Sequence, residues 1–303
     1  MNRNKRAKIA DNIATIFLYI IAILVIVLLT SITVYLVYRG IKSYIPKYMS
    51  FSPDGLGIQL FNTLYMVLLS IIISAPLGIC AGIYMAEYAK PSKLTDIVRM
   101  SIETLASLPS IVVGIFGFLV FVMLTHSTWN MFAGVLTLSI LCVPLLTRVT
   151  EDGLNEIDQS MKEGSYALGA TKWQTIVHVL LPAILPRLVT GIILAAGRGF
   201  GEAAALIYTA GLTSDVSFSN WNPSSITSPL NIFRTSDTLA VRIWYLKGFA
   251  INPDKYQIAD MAAAMLIILV FIFNIGARIT GRVIERKMIG SSAIKSKKKS
   301  KIN

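Results

Sequence analysis

Ser160-Met-Lys-Glu163-Gly-Ser-Tyr166-Ala-Leu168-Gly169-Ala170-Thr-Lys-Trp173-Gln-Thr-Ile-Val-His178-Val-Leu-Leu-Pro182 spells a helix, a tight turn and a second helix. Ser160 with Glu163, and Thr171 with Gln174, have the spacing of capping boxes, in which a hydroxyl and a carboxylate or amide satisfy each other's helix-end amides. Gly169 stands where the first helix must stop, in a left-handed conformation that a Cβ disfavours. Tyr166, Ala167, Leu168, Ala170 and Trp173 crowd this turn with more apolar surface than a loop in water tolerates. A partner protein over the turn is therefore expected; the alternative is a helix pair lying flat among lipid headgroups.

The flanks of this stretch belong in a bilayer. The chain has 303 residues, 54% hydrophobic and 15% charged, with a mean hydropathy of +0.66; a soluble domain carries about 25% charged residues. A helix crosses the hydrocarbon core with about 20 apolar residues. Six stretches qualify: Ile13 to Tyr38, Leu60 to Tyr84, Ile102 to Leu124, Phe132 to Thr147, Val179 to Tyr208 and Met261 to Ile284. The first is longer than a signal-peptide core and is followed by no small-residue cleavage site, so it reads as an uncleaved anchor. The expected fold is an all-α integral membrane protein with six transmembrane helices. A basic N-terminus (1–12), a first span with its outer loop (13–59), a core of five spans (60–284) and a basic tail (285–303) divide the chain.

Lysine and arginine set the orientation. Nineteen fall in the two terminal segments and in the loops after the second and fourth spans, against seven in the alternate loops. The positive-inside rule then puts both termini in the cytoplasm with residues 160–182, and residues 211–260 outside as a partly structured cap. The net charge of +12 accordingly points to anionic lipid rather than nucleic acid. Lys295 to Lys301 is a lysine-rich run expected to be disordered against headgroups, and Arg278, Arg282 and Arg286 share one helix face. Glu87 and Glu103, near the cytoplasmic span ends, are expected at the interface with no transport role.

Arg198 and Glu202 are the exception to an apolar fifth span. A charge at mid-membrane costs about 2.5–3.5 kcal/mol, so an idle one is improbable. At i and i+4 they share a helix face and are expected to pair, lining a polar path; the structural alternative is a salt bridge that fixes packing. Gly197 and Gly201 are expected to form a GxxxG contact with a neighbouring helix. Pro76 and Pro109, with Gly78, Gly82, Gly114 and Gly117, allow broken helices and close contacts around a cavity. An arginine fork suits two oxygens of a tetrahedral oxyanion. Other chemistry is poorly provided for. Cys80 and Cys142 lie in apolar runs, and His126 and His178 are the only histidines, which leaves no metal site or disulfide framework. There is no G-x-x-x-x-G-K-[ST] phosphate-binding loop, so the chain is not itself an ATPase. A stand-alone secondary transporter would leave the apolar turn without its partner. An intramembrane enzyme would need a nucleophile–base constellation that is not there.

Glu163, Gly169 six residues later and Leu181-Pro182 resemble the EAA loop of ABC importer permeases, with Gly164 and Ser165 in place of the alanines. Arg198-Gly-Phe-Gly-Glu202, Leu108-Pro-Ser-Ile-Val-Val-Gly-Ile-Phe-Gly117 and Ala75-Pro-Leu-Gly followed by Glu87-Tyr-Ala89 resemble segments of the permeases of phosphate-specific ABC importers. Asp237-Thr-Leu-Ala-Val-Arg-Ile-Trp-Tyr245 resembles the PstA type. The resemblance runs from about Asn62 to Gly281. It implies a type I importer permease architecture and transport of phosphate or, as the rival, another oxyanion such as molybdate or sulfate. It also implies that Glu163, Tyr166, Leu168, Gly169 and Ala170 seat in a cleft of a separate cytoplasmic ABC ATPase dimer, which uses the ATP. Arg198 and Glu202 would line the path, and a second permease and an extracytoplasmic phosphate-binding protein would complete the assembly. The permease itself needs no cofactor.

Overall fold

The computed structural model describes the backbone of residues 2–52, 55–251 and 253–299, and the side chains of residues 7, 8 and 11–283 within them. Every regular element among the described residues is helical. In chain order these are α1 (Asn2–Lys42), α2 (Gly57–Ile83), α3 (Lys93–Ser107), α4 (Ser110–Phe118), α5 (Met131–Asn155), α6 (Gln159–Ala167), α7 (Lys172–Thr175), α8 (Leu181–Gly201), α9 (Ala204–Thr209), α10 (Leu239–Gly248) and α11 (Lys255–Lys299). Five rods are long and apolar enough to cross a membrane: Asp11–Lys42, Gly57–Tyr88, Met131–Asn155, Lys172–Gly201 and Lys255–Val283. A sixth crossing is made only if α3 and the helix from Ser110 to Met123 are taken together, across a bend of 102°. The lysine-rich tail and Arg286 lie outside the residues whose side chains are described.

Two expected spans are broken, and the reasons are local. Ile102 to Leu124 is not one rod. Leu108 precedes Pro109 and takes the extended conformation (φ −63°, ψ 138°) that a following proline ring imposes. α3 then runs off at an angle, N-capped by Ser92, whose hydroxyl accepts from Thr95 N at 3.3 Å. None of its residues is buried; Leu94, Ile97 and Met100 lie exposed along it, as in a helix resting at a membrane surface. The run from Val179 to Tyr208 stops at Gly201. Glu202 is extended (φ −74°, ψ 120°), and its carboxylate accepts from Ala205 N at 3.1 Å, capping α9. Three glycines in the preceding turn lower the cost of leaving the helix there. Pro76, by contrast, sits within a continuous α2. A π-helical turn, Ile176–Leu180, precedes Pro182 and widens the helix where the proline ring would crowd a carbonyl.

Between helices in lipid, packing rather than water exclusion decides affinity, and small residues let backbones approach. α2 and α5 cross in this way at the centre: a Cβ on Gly82 would stand 2.5 Å from Thr150 Cβ. α4 and α9 meet likewise, with a Cβ on Gly114 only 2.7 Å from Ala205 Cα. Met66, Leu138, Leu141 and Leu206 fill the core between them. Among the described residues the expected GxxxG contact is not made, because a Cβ on Gly197 or Gly201 would meet nothing within 4 Å, whereas one on Gly199, on another face of α8, would lie 3.2 Å from Val67. α1 is exposed along most of its apolar length and is tied to α11 by Arg39 and Asp260 at 2.8 Å.

Residues 211–254 and the start of α2 form the cap, held by a buried polar network. Arg234 donates to Asn62 Oδ1 at 2.7 Å and to the carbonyls of Ser228, Pro229 and Thr235 at 3.1–3.2 Å. Asp237 accepts from Ser214 Oγ at 2.5 Å and from Gln59 Nε2 at 3.1 Å. Burial pushes the Asp237 carboxyl above its ordinary value, against the pull of Ser214 and Arg242, and lowers Arg234 to about 10. The expectation of a partly structured cap agrees with this region, whose one regular helix, α10, is N-capped by Thr238.

Candidate functional site

The end of the bundle opposite the cap carries the stretch from Ser160 to Pro182. α6 begins two residues earlier than its sequence predicts. Asp158, not Ser160, is the N-cap, its carboxylate accepting from Ser160 N at 2.9 Å; that hydrogen bond holds the Asp158 carboxyl below its ordinary range. The second capping box is present, with Thr171 Oγ1 and Gln174 Oε1 accepting from each other's backbone amides. Between them α6 ends in a Schellman motif. Ala170 N donates to Ser165 O at 3.2 Å and Gly169 N to Tyr166 O at 2.9 Å, with Gly169 at φ +82°. Leu168 is 90% exposed at the tip, with Trp173 and Tyr166 exposed beside it. Glu163 is exposed and Ala170 half-buried. The turn thus presents an apolar knob on a stiff base.

That base is anchored by a residue assigned no role from the sequence. Glu87, in the π turn that ends α2, pairs with Lys162 at 2.6 Å, both side chains largely buried. Its backbone carbonyl accepts from Lys172 Nζ, whose ammonium lies 4.6 Å from the Tyr88 ring centroid. On the other side Arg187 of α8 bridges Glu156 and, at 3.9 Å, Asp152. Lys162 thus ties α6 to the end of α2, and Arg187 ties α8 to the end of α5.

Behind this loop a 460 Å³ cavity is lined by Arg99 and Glu103 of α3, Arg148, Glu151 and Asp152 of α5, and Arg198 of α8. Small-molecule pockets fall within roughly 300–1,000 Å³. Arg99 is locked to Glu151, Nη2 at 2.7 Å and Nε at 3.2 Å from one carboxylate oxygen. Arg148 touches Glu103 at 3.4 Å, with both side chains more than half exposed. Arg198, half-buried, reaches among the described residues only the Leu141 carbonyl at 3.5 Å. The expected Arg198–Glu202 pair does not form, because the helix that would align the two at i and i+4 ends between them and Glu202 serves as a cap instead. No group of three or more His, Cys, Asp or Glu suited to a metal ion occurs among the described residues.

An all-helical bundle with an exposed, anchored helix-turn-helix at one end matches a known family. Residues 78–290 match the model described as the binding-protein-dependent transport system inner membrane component. The chain belongs to that family. It is therefore a multi-pass component of the inner membrane in an ABC transport system, and the family is a transport component rather than an enzyme. Among its relatives is a probable ABC transporter permease of Bacillus subtilis, YqgI, 43% identical over 295 residues that cover 95% of this chain and 99% of the relative. The phosphate transport system permease protein PstA of Xylella fastidiosa is 35% identical over 226 residues, 74% of each chain. The fold is shared with a bacterial ABC transporter involved in the import of alginate, with a TM-score of 0.63 at 16% identity, covering 93% of this chain and 99% of that one.

Within this family member the inner cavity gathers residues that sequence motifs did not single out. Arg99, Arg148, Glu103 and Glu151 are spread over two elements and become neighbours only because α3 folds back against α5. Glu151 offered one hint, an acid in a helix otherwise packed on its apolar face; it is buried in the structure.

Proposed function

We propose that this chain is a permease subunit of an ATP-driven phosphate importer, with both termini and the 160–182 loop in the cytoplasm and the cap outside. The observation that carries the substrate reading is Arg198, half-buried at the cavity, with no ion-pair partner among the described residues. A guanidinium at a cavity that reaches a single carbonyl keeps donors free, and its planar fork suits two oxygens of a tetrahedral oxyanion. The 35% identical phosphate permease and the excess of lysine and arginine on the loop side support the same assignment. The exposed knob of Tyr166, Leu168, Gly169 and Ala170, with Glu163 at its flank, would seat in a cytoplasmic ATPase dimer that uses the ATP. A second permease and an extracytoplasmic phosphate-binding protein complete the importer.

In this cycle ATP closes the ATPase pair, the anchored loop carries the displacement to α2, α5 and α8, and the path opens alternately to each side. Uptake of labelled phosphate, molybdate and sulfate in cells with and without this chain tests the substrate. Loss of phosphate uptake alone is expected, and loss of molybdate or sulfate uptake instead would replace phosphate by that anion. Gly169→Val tests the coupling. A side chain at that φ costs about 1–2 kcal/mol, so uptake should fall while the protein remains in the membrane; wild-type uptake by the variant would remove the coupling role.

A further inference from the structure

We propose that Arg148 and Glu103 set the release of the transported anion from the inner cavity. Arg148 receives the anion after Arg198, and Glu103 competes with it for the same guanidinium. This rests on the reading that Arg198 contacts an oxyanion. Leu141, whose carbonyl touches Arg198, and Arg148 are seven residues apart on α5, which is about 10 Å and two turns along one helix face. Glu151, which holds Arg99, follows one turn later. Three guanidiniums thus line one cavity along α5, running from the bundle interior toward the loop end.

They differ in what already occupies them. Arg99 is held more firmly: two of its donors share one oxygen of Glu151, at 2.7 Å for the shorter contact, with side-chain exposures of 47% and 10%, so this pair joins α3 to α5. Arg198 has no carboxylate partner among the described residues. Arg148 lies between these extremes, with a single 3.4 Å contact to Glu103 and side-chain exposures of 59% and 53%. Such an open pair contributes about 0–1 kcal/mol, and an oxyanion presenting two oxygens to the fork displaces it. A passage site must bind well enough to accept its ion and weakly enough to let it go. Glu103 supplies the second property, because its carboxylate retakes Arg148 as the anion leaves and opposes rebinding from the cytoplasmic side.

The test uses the complete importer in proteoliposomes, with the binding protein outside and ATP inside. The initial rate of phosphate uptake is measured against graded phosphate in the lumen, each variant normalised to its own rate without lumenal phosphate. Glu103→Gln, which removes the competitor, should lower the half-inhibitory lumenal concentration about threefold, and Arg148→Gln should raise it about threefold, the change that roughly 0.6 kcal/mol produces. Shifts of opposite sign support the proposal; equal values, or shifts of one sign in both variants, overturn it. If Arg148→Gln fails to assemble, Arg148→Lys, which keeps the charge and loses the fork, should shift in the same direction by less, and no shift there overturns the role of Arg148. Should the wild-type importer carry molybdate or sulfate, the phosphate assignment falls, and the same titration with that anion decides the exit mechanism separately. Uptake of none of the three anions overturns both.

Discussion

Arg234 at the cap and Arg198 at the cavity both carry charge into the packed protein, yet Arg234 places four hydrogen bonds on Asn62, Ser228, Pro229 and Thr235 while Arg198, among the described residues, reaches one carbonyl at 3.5 Å. The carboxylates follow suit. Asp237 is enclosed by Ser214, Gln59 and Arg242, whereas Glu103 lies half in the open against Arg148. A buried charge is tolerated when its donors are satisfied by the protein, and then it fixes structure. A charge left with unused donors at a cavity is provided for by something that comes and goes. On the proposed function the two ends of one bundle separate holding from passing, and substitutions at the two ends should fail in different ways.

The largest effect is expected at the cap. Arg234→Ala strands Asn62 and three carbonyls in a dry site, a loss of about 3 kcal/mol. Unfolding of the detergent-solubilised protein should begin at markedly lower temperature and its membrane level should drop; a melting profile like wild type would mean that the cap network is dispensable. Arg198→Lys should do the reverse. The charge is kept but the two-oxygen fork is lost, so uptake should fall about tenfold, the effect of roughly 1.4 kcal/mol in anion binding, with membrane level and melting unchanged. A variant that melts early instead would return Arg198 to a packing role and erase the contrast.

The smallest effect concerns pH. Asp237 titrates above its ordinary 3.8 because burial disfavours the ionised form. A carboxyl raised in the folded state contributes stability that is fully present below its unfolded value and lost as pH rises through the folded one. Melting temperature should therefore decline with pH from about 4 upward in wild type, and Asp237→Asn, which mimics the neutral carboxyl, should flatten that slope. An unchanged slope would mean that the carboxylate is held ionised by Arg242 and Ser214.

Much of this could be read from local chemistry. Apolar runs of about 20 residues predict spans wherever they occur, and Thr171, Gln174 and Gly169 predict their caps and turn because a helix end depends on residues three or four positions away. Local signals also compete. Asp158 took the cap that Ser160 was expected to hold, since its carboxylate, one residue ahead of the helix, accepts from the first-turn amide of Ser160. At Pro109 the break was signalled by the proline, but the 102° turn that makes α3 a separate arm depends on what lies beside it.

By itself, then, the sequence determined the approximate position of five of the six expected apolar rods, the helix-turn-helix between the fourth and fifth expected spans, and the presence of an arginine and a glutamate that a bilayer would not keep idle. Only the tertiary structure decided which charges meet. Glu87 and Lys162 are 75 residues apart, and Arg99 and Glu151 are 52 apart. Arg198 and Glu202, close enough in sequence to suggest a pair, are parted by a helix end. The reason is physical. Periodicity and capping act over a few residues of one chain segment, whereas an ion pair depends on the relative placement of two helices, which is set by how glycines such as Gly82 and Gly114 let their backbones close.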